Sequence, residues 1–362
     1  MKKEKALVNK NKAYNRTKIS NIGYLRLKSP ISMQIELTSG CNQKCIFCYN
    51  VWKEGCTKTS ICETPTREEH NKIIDKIIEN EVFDIIFSGG EPLLIPYLEE
   101  LIERLSKKKI GTMIITNGML LTKERVKKLK GAGLESIQIS LHYFNEEKND
   151  EITGIKGSFK KSVEGIKNVL DIMGKDFLNV NAVIIPETFK DAYKMGEFLN
   201  ELGVTSFSIG CSSVSGEMAN HKDLFVDKEK FLDIYRQLKN VKDDFGIKVS
   251  FTGGFPLCIL PDIGEAIGLS SNFCDAGLNQ LVVSPKGDLR PCVCLGQVVG
   301  NIFKDDLKKV WKENKFLKEI RELKYLPKEC EDCKHIAICR GGCRASAEGY
   351  FNKLNAIDPL MQ

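Results

Sequence analysis

Three thiols fall on one short stretch, Cys41-Asn42-Gln43-Lys44-Cys45-Ile46-Phe47-Cys48, spaced C-x3-C-x-Phe-C just after the apolar run Met33 to Leu37. Thiolate is a soft ligand that holds iron, and three on one loop leave the fourth iron of a 4Fe-4S cube without a protein ligand. An open iron implies bound chemistry. By spacing alone a zinc site is the alternative. A second thiol-rich stretch follows far downstream: Cys274, then Gly287 and Cys292, then Cys330-x2-Cys333-x5-Cys339-x3-Cys343. There, spacing alone favours a zinc ribbon, in which a C-x2-C pair is joined by two more thiols.

Such thiols need a setting that keeps them reduced. The chain has neither a visible signal peptide nor an apolar run of about 18 residues, so a cytoplasmic protein is expected, with no membrane partner. In that compartment its 14 cysteines read as metal ligands before disulfides. Lys and Arg number 54 against 48 Asp and Glu, a net charge of +6, with the excess at Lys2, Lys3, Lys5, Lys10, Lys12, Arg16 and Lys18. This mild bias predicts a solvated tail and no nucleic-acid partner.

The elements that must position the thiols show in the hydrophobic pattern. The 362 residues exceed what one core usually holds, which predicts a large domain and a smaller one. Residues 1–32 read as a lead-in with a short strand near Tyr24 to Leu27, too short for a peptide-binding module. From Met33, strand-like runs at Met33–Thr38, Phe83–Ser88, Thr112–Thr116, Ser136–Leu141, Val180–Ile185 and Ser206–Gly210 alternate with amphipathic stretches at Arg67–Asn80, Lys123–Lys130, Lys160–Met173 and Phe189–Leu202. About six βα units predict an α/β fold, a partial (βα)6 TIM-like barrel over 33–250, with sites on loops at the C-terminal ends of its strands. The cysteine loop follows the first strand. After Phe251 the pattern breaks at Gly253-Gly254-Phe255-Pro256, and residues 251–362 read as a small α+β cluster-binding domain. Its elements are a hairpin, Leu278–Ser284 and Leu289–Cys292, and one helix over Asp305–Leu323. A domain with so little core needs a metal staple.

Cys41, Cys45 and Cys48, with Phe47 at the aromatic position, resemble the CxxxCxΦC signature of the radical SAM superfamily. Ser88-Gly89-Gly90-Glu91-Pro92 resembles its GGE motif, and Thr116-Asn117-Gly118 the segment after its third strand. The resemblance implies S-adenosyl-L-methionine chelating the open iron of a [4Fe-4S] cluster held by the catalytic cysteines Cys41, Cys45 and Cys48. Reductive cleavage then gives a 5'-deoxyadenosyl radical, the cofactor carrying the hard chemistry. It implies cofactor contacts from Gly89 and Gly90, whose bare backbone allows close approach. Glu91 is implied to serve the ammonium directly or through its loop, with Phe47, Asn117, Ser140 at the ribose, and Asn181 with Ile184 flanking the adenosine. One departure is His142, where relatives usually carry Asp; a surface imidazole is expected.

The C-terminal cysteines, with Cys274-Asp275-Ala276-Gly277, Gly300-Asn301 and Gly341-Gly342-Cys343-Arg344, resemble the SPASM domain, which binds one or two auxiliary iron–sulfur clusters. SPASM chains usually close with a seventh cysteine past an Asp-Pro; here Asp358-Pro359-Leu360-Met361-Gln362 has none. The resemblance implies one cluster on Cys274, Cys292, Cys343 and Cys258, and a second on Cys330, Cys333 and Cys339 with one iron unclaimed. With Cys294 the thiols number eight, enough for two fully thiolate cubes, but Cys294 is expected on the opposite face of the hairpin from Cys292. Cys56, Cys62 and Cys211 read as structural or incidental thiols.

The resemblance implies an oxidoreductase that modifies a ribosomal peptide or protein side chain by thioether, carbon–carbon or epimerised centres. Tetrapyrrole side-chain modification in the haem pathway is the alternative, because its enzymes share the Gly-Gly-Cys-Arg run. A non-catalytic iron–sulfur or zinc regulator would have no reason to keep Gly89-Gly90-Glu91. Expected partners are a peptide or small-molecule substrate, a reductant such as flavodoxin or ferredoxin, and a separate peptide-recognition protein.

Overall fold

A computed structural model describes residues 27–51, 64–210, 213–262 and 274–362. The strand expected near Tyr24 and the thiols Cys56, Cys62 and Cys211 lie outside the described residues. Seven parallel strands run in chain order: β1 (Ser32–Glu36), β2 (Asp84–Ser88), β3 (Gly111–Thr116), β4 (Ser136–Ser140), β5 (Leu178–Val183), β6 (Ser206–Gly210) and β7 (Lys248–Thr252). All six strands expected from the sequence form, each within two residues of its expected ends, and β7 is an additional one. The helices between them are α1 (Arg67–Glu79), α2 (Leu98–Ser106), α3 (Lys123–Gly131), α4 (Glu146–Thr153), α5 (Ser158–Ile172), α6 (Ala192–Glu201) and α7 (Lys228–Phe245).

Each strand alternates by side. Ile35, Phe87, Ile114, Ile137, Val180 and Phe207 are buried in the core beneath the helices. On the opposite side Ile86, Ile115 and Val183 are interspersed with polar positions, which bond to one another across the strands. Gln34 Nε2 donates to Ser88 Oγ at 2.6 Å, Asn179 Nδ2 to Gln138 Oε1 at 3.1 Å, and Ser208 Oγ to Asn181 Oδ1 at 2.9 Å. A period-2 switch between apolar and polar therefore separates a helix-covered outside from a polar, hollow inside.

The C-terminal hairpin joins this sheet. β8 (Gln280–Val283) pairs in parallel with β1, Ser32 opposite Gln280 and Ile35 opposite Val283. β9 (Asp288–Arg290) and β10 (Gly300–Asn301) continue it antiparallel, giving one open ten-stranded sheet with β10 and β7 at its edges. The fold is a partial TIM-like barrel. The single helix expected over Asp305–Leu323 is instead two, α8 (Leu307–Glu313) and α9 (Lys315–Arg321). Asn314 breaks it: its backbone is extended, its side chain accepts from Leu317 N at 3.2 Å, and its amide donates to Val299 O at 2.9 Å. Asparagine at an N-cap competes well with helix continuation. The break lets Trp311 and Leu317 both bury fully, with the Arg321 guanidinium 4.0 Å above the indole. Two short helices, α10 (Ile336–Cys339) and α11 (Arg344–Phe351), complete the C-terminal part.

Candidate active site

A cavity of about 430 Å³ occupies the mouth of the barrel, a volume suited to one small-molecule cofactor and part of a substrate. Cys41, Cys45 and Cys48 line it together with Phe47, Gly89, Gly90, Asn117, Ser140 and Asn181. Three elements fix the cysteine loop. The β2 end is stitched to it by Gly90 N donating to Thr38 O at 2.7 Å and Glu91 N to Gly40 O at 2.8 Å. The β3 end reaches it through Asn117 Nδ2, which donates to Asn42 Oδ1 at 2.6 Å. His70 of α1 bonds Leu37 O with Nε2 at 3.0 Å and Tyr97 with Nδ1 at 2.9 Å, anchoring the end of β1.

The two glycines have a packing reason that the sequence did not reveal. A Cβ on Gly90 would lie 1.9 Å from Gly40 O, and one on Gly89, at φ +130°, would lie 2.6 Å from Thr38 O. No side chain fits where the loops cross. Glu91 is 1% exposed and is not among the cavity-lining residues. Its carboxylate accepts from Leu93 N at 3.0 Å, Thr116 Oγ1 at 2.6 Å and Asn117 N at 2.9 Å. Burial raises its pKa to about 6 against the pull of those donors. Glu91 therefore clamps the β2 and β3 loops together, and any service to a bound ammonium passes through the loop backbone.

Two expectations are corrected here. Ile184 lies buried in the main core, whereas Asn181 and Val183, two apart on one face of β5, line the cavity. Asn181 Oδ1 is taken by Ser208 and by Thr252 Oγ1, the latter at 3.2 Å. His142 is no surface imidazole: it is 5% exposed, lines the cavity, and meets Phe47 edge-on with centroids 4.7 Å apart. Its Nδ1 accepts from Val183 N at 3.2 Å, and burial lowers its pKa to about 4. The neutral ring thus carries its proton on Nε2.

The far wall of the same cavity carries Cys274, Cys292, Cys294 and Cys343. A Cβ on Gly254 would lie 3.5 Å from Cys274 Cβ and 3.6 Å from Cys343 N, so those two meet at that glycine. Ser213 Oγ stands 3.5 Å from Cys343 Sγ. Burial raises the Cys292 thiol well above the usual range, and Cys294, Cys274 and Cys343 raise it further. The expectation that Cys294 faces away from Cys292 is overturned. Residues two apart on an extended chain share a face, and here the chain has left β9 for a turn. Arg290, 2% exposed, holds that turn by donating to Val293 O at 3.1 Å and by pairing with buried Glu36 of β1. Between the two walls, burial raises the Tyr49 phenol far above its usual range, with Cys294, Glu36 and Cys48 beside it.

Cys258 is not with this group, which corrects the expected ligand set. It lies in a turn after β7, where Leu257 N donates to Cys339 Sγ at 3.3 Å. Cys258 is exposed, and partial desolvation together with Cys339 and Cys333 raises its thiol; burial pushes Cys330 to about 11, with Cys339, Cys333 and Cys258 nearby. Met361, just past Asp358-Pro359, packs against the apolar cluster of Cys330 and Ile336. The Cys292-x-Cys294 spacing and the total of eight thiols were the clues to this arrangement. Among the described residues no three Cys, His, Asp or Glu side chains close on a single metal ion. Thiols dominate the donors of both groups, which suits iron–sulfur clusters.

Family comparison agrees with the geometry. A model of the radical SAM superfamily matches residues 35–199, and one of the SPASM iron–sulfur cluster-binding domain matches residues 274–334. The mycofactocin maturase MftC of Mycobacterium tuberculosis is 30% identical over 339 residues, 92% of this chain and 83% of the relative. An AdoMet-dependent heme synthase of Methanosarcina barkeri is 26% identical over 337 residues, 86% and 90%. Streptococcus suis SuiB, solved with its precursor peptide SuiA, shares the fold with a TM-score of 0.72 at 19% identity, covering 94% of this chain and 77% of SuiB. Motifs, barrel and thiol-lined cavity thus lead to one conclusion: the chain belongs to the radical SAM superfamily and carries a C-terminal SPASM domain, with S-adenosyl-L-methionine and iron–sulfur clusters as its cofactors.

Proposed function

We propose that this chain modifies a ribosomally made peptide or protein side chain by radical chemistry. The observation that carries this reading is the 30% identity with a maturase along 92% of the chain. A fold shared with a protein solved on its precursor peptide supports it. In this reading Cys41, Cys45 and Cys48 hold the cluster at the cofactor site. Gly89, Gly90, Asn117, Ser140, Asn181 and Phe47 surround the cofactor, and Glu91 positions the loop. When bound, the cluster and S-adenosylmethionine supply reductive cleavage to a 5'-deoxyadenosyl radical that abstracts hydrogen from substrate. The chain's share is aim and shelter: a polar barrel interior orients the cofactor, while Phe47, His142 and Val183 wall off water. We assign residues 33–250 to the catalytic core and 251–362 to the auxiliary-cluster part. A cytoplasmic setting, a flavodoxin or ferredoxin as reductant and a separate peptide-recognition protein belong to the same proposal.

The heme synthase relative favours a second reading, tetrapyrrole side-chain modification. One experiment separates them. Anaerobically reconstituted enzyme with S-adenosylmethionine and reductant is given either a candidate precursor peptide or a haem precursor, and products are read by mass spectrometry. The peptide reading predicts a peptide that loses a pair of hydrogens or, on epimerisation, takes up solvent deuterium. Conversion of the tetrapyrrole with an untouched peptide overturns it.

A further inference from the structure

We propose that this chain closes both auxiliary centres with its own thiols: Cys294 completes the set Cys274, Cys292 and Cys343, and Cys258 completes the set Cys330, Cys333 and Cys339. The inference rests on the reading of these thiols as iron–sulfur ligands. It gives each of the two sets a fourth thiolate from within the described residues.

Geometry supports each completion separately. For the first set, β9 ends at Arg290, and the turn after it places both Cys292 and Cys294 on the cavity wall that Cys274 and Cys343 share. Arg290 fixes the turn through Val293 O and its buried pairing with Glu36, so Cys294 has a rigid mount. For the second set, the turn Leu257–Ile259 lies against Cys339 through the Leu257 N–H, and Cys258 neighbours Cys333 as well as Cys339. The position of the absent seventh cysteine holds Met361, a thioether packed among apolar neighbours. Thiolate is the ordinary ligand of a 4Fe-4S cube and thioether is not, so Cys258 outcompetes Met361. A cube with four thiolates offers no exchangeable iron position. Among the described residues, only the loop of Cys41, Cys45 and Cys48 then leaves an iron open, and the auxiliary centres carry electrons without binding substrate.

The test uses the full chain, reconstituted anaerobically, with Cys41, Cys45 and Cys48 all replaced by Ala, and reads iron, sulfide and EPR. The proposal predicts ~8 irons per chain and no three-iron signal on mild oxidation, since each cube has four thiolates. Adding Cys258→Ala or Cys294→Ala should drop the count toward ~4 or yield a three-iron EPR signal on oxidation. Met361→Leu should change neither. A variant that loses one centre and keeps the other is folded. Should both centres vanish, Cys258→Ser and Cys294→Ser provide the reading, because serine ligation keeps the cube and shifts its reduced EPR spectrum. An iron count and spectrum indifferent to Cys258 and Cys294 substitutions overturn the ligand assignment. A parent triple variant that holds zinc, or no iron, instead overturns the iron–sulfur reading beneath it.

Discussion

Two buried ionisable side chains, Glu91 and His142, show how single residues shape this site. Glu91 spends its carboxylate on Leu93, Thr116 and Asn117, so its motif works by fixing a loop crossing that only glycines tolerate. His142 is held neutral with Nδ1 on Val183 N, and its low pKa has a consequence for stability. Because the native ring resists protonation, its contribution is complete above pH 6.5 and is lost as pH falls through that value toward about 4. The variant His142→Gln, which can still accept from Val183, should flatten the pH dependence of unfolding between those limits by roughly 2–4 kcal/mol. Denaturant midpoints of parent and variant at the two ends of that window give the answer. Parallel profiles would show that the ring does not sense acid. The grouping of Cys41, Cys45 and Cys48 at one cavity was legible in the sequence because their spacing is local. The burial of His142 was not, because it depends on Phe47 and Val183, distant in the chain.

The elements were legible to the extent that their patterns were strong. α1 announces itself by the capping box of Thr66 and Glu69 and by the stripe Ile73, Ile74 and Ile77. α2, α4 and α7 escaped, although Leu98, Leu101, Ile102 and Leu105 repeat with helical spacing, Asn145 and Gly154 cap α4, and Asp227 and Gly246 cap α7. β7 is a short strand whose outward face shows only Val249 and Phe251. What no local pattern carries is the junction between β1 and β9, closed by the buried pair of Glu36 and Arg290. Arg290→Leu would remove the guanidinium that balances the Glu36 carboxylate, itself 1% exposed, which is expected to cost about 3–5 kcal/mol. Removing both with Glu36→Leu and Arg290→Leu should recover much of that loss. Thermal unfolding of the two variants tests it, and an equally destabilised double variant would show that the pair matters for more than mutual neutralisation.

Over the whole molecule, the sheet runs without interruption from β10 to β7, so the hairpin is built onto the barrel, and Cys274, Cys292, Cys294 and Cys343 face the same cavity as the first cysteine loop. The sequence indicated a core followed by a small stapled domain, but continuity of β8 with β1 involves residues about 250 positions apart, beyond any periodicity. The approach of the Cys258 turn to Cys339, where Leu257 and Cys339 are 82 positions apart, is likewise beyond any local pattern. All of this geometry serves one claim, that the loop of Cys41, Cys45 and Cys48 carries the cluster at which S-adenosylmethionine is cleaved. The direct measurement is 5'-deoxyadenosine formed by the anaerobically reconstituted, reduced protein, compared with Cys45→Ala. The parent is expected to form it and the variant to form none; cleavage by the variant at the parent's rate would contradict the assignment.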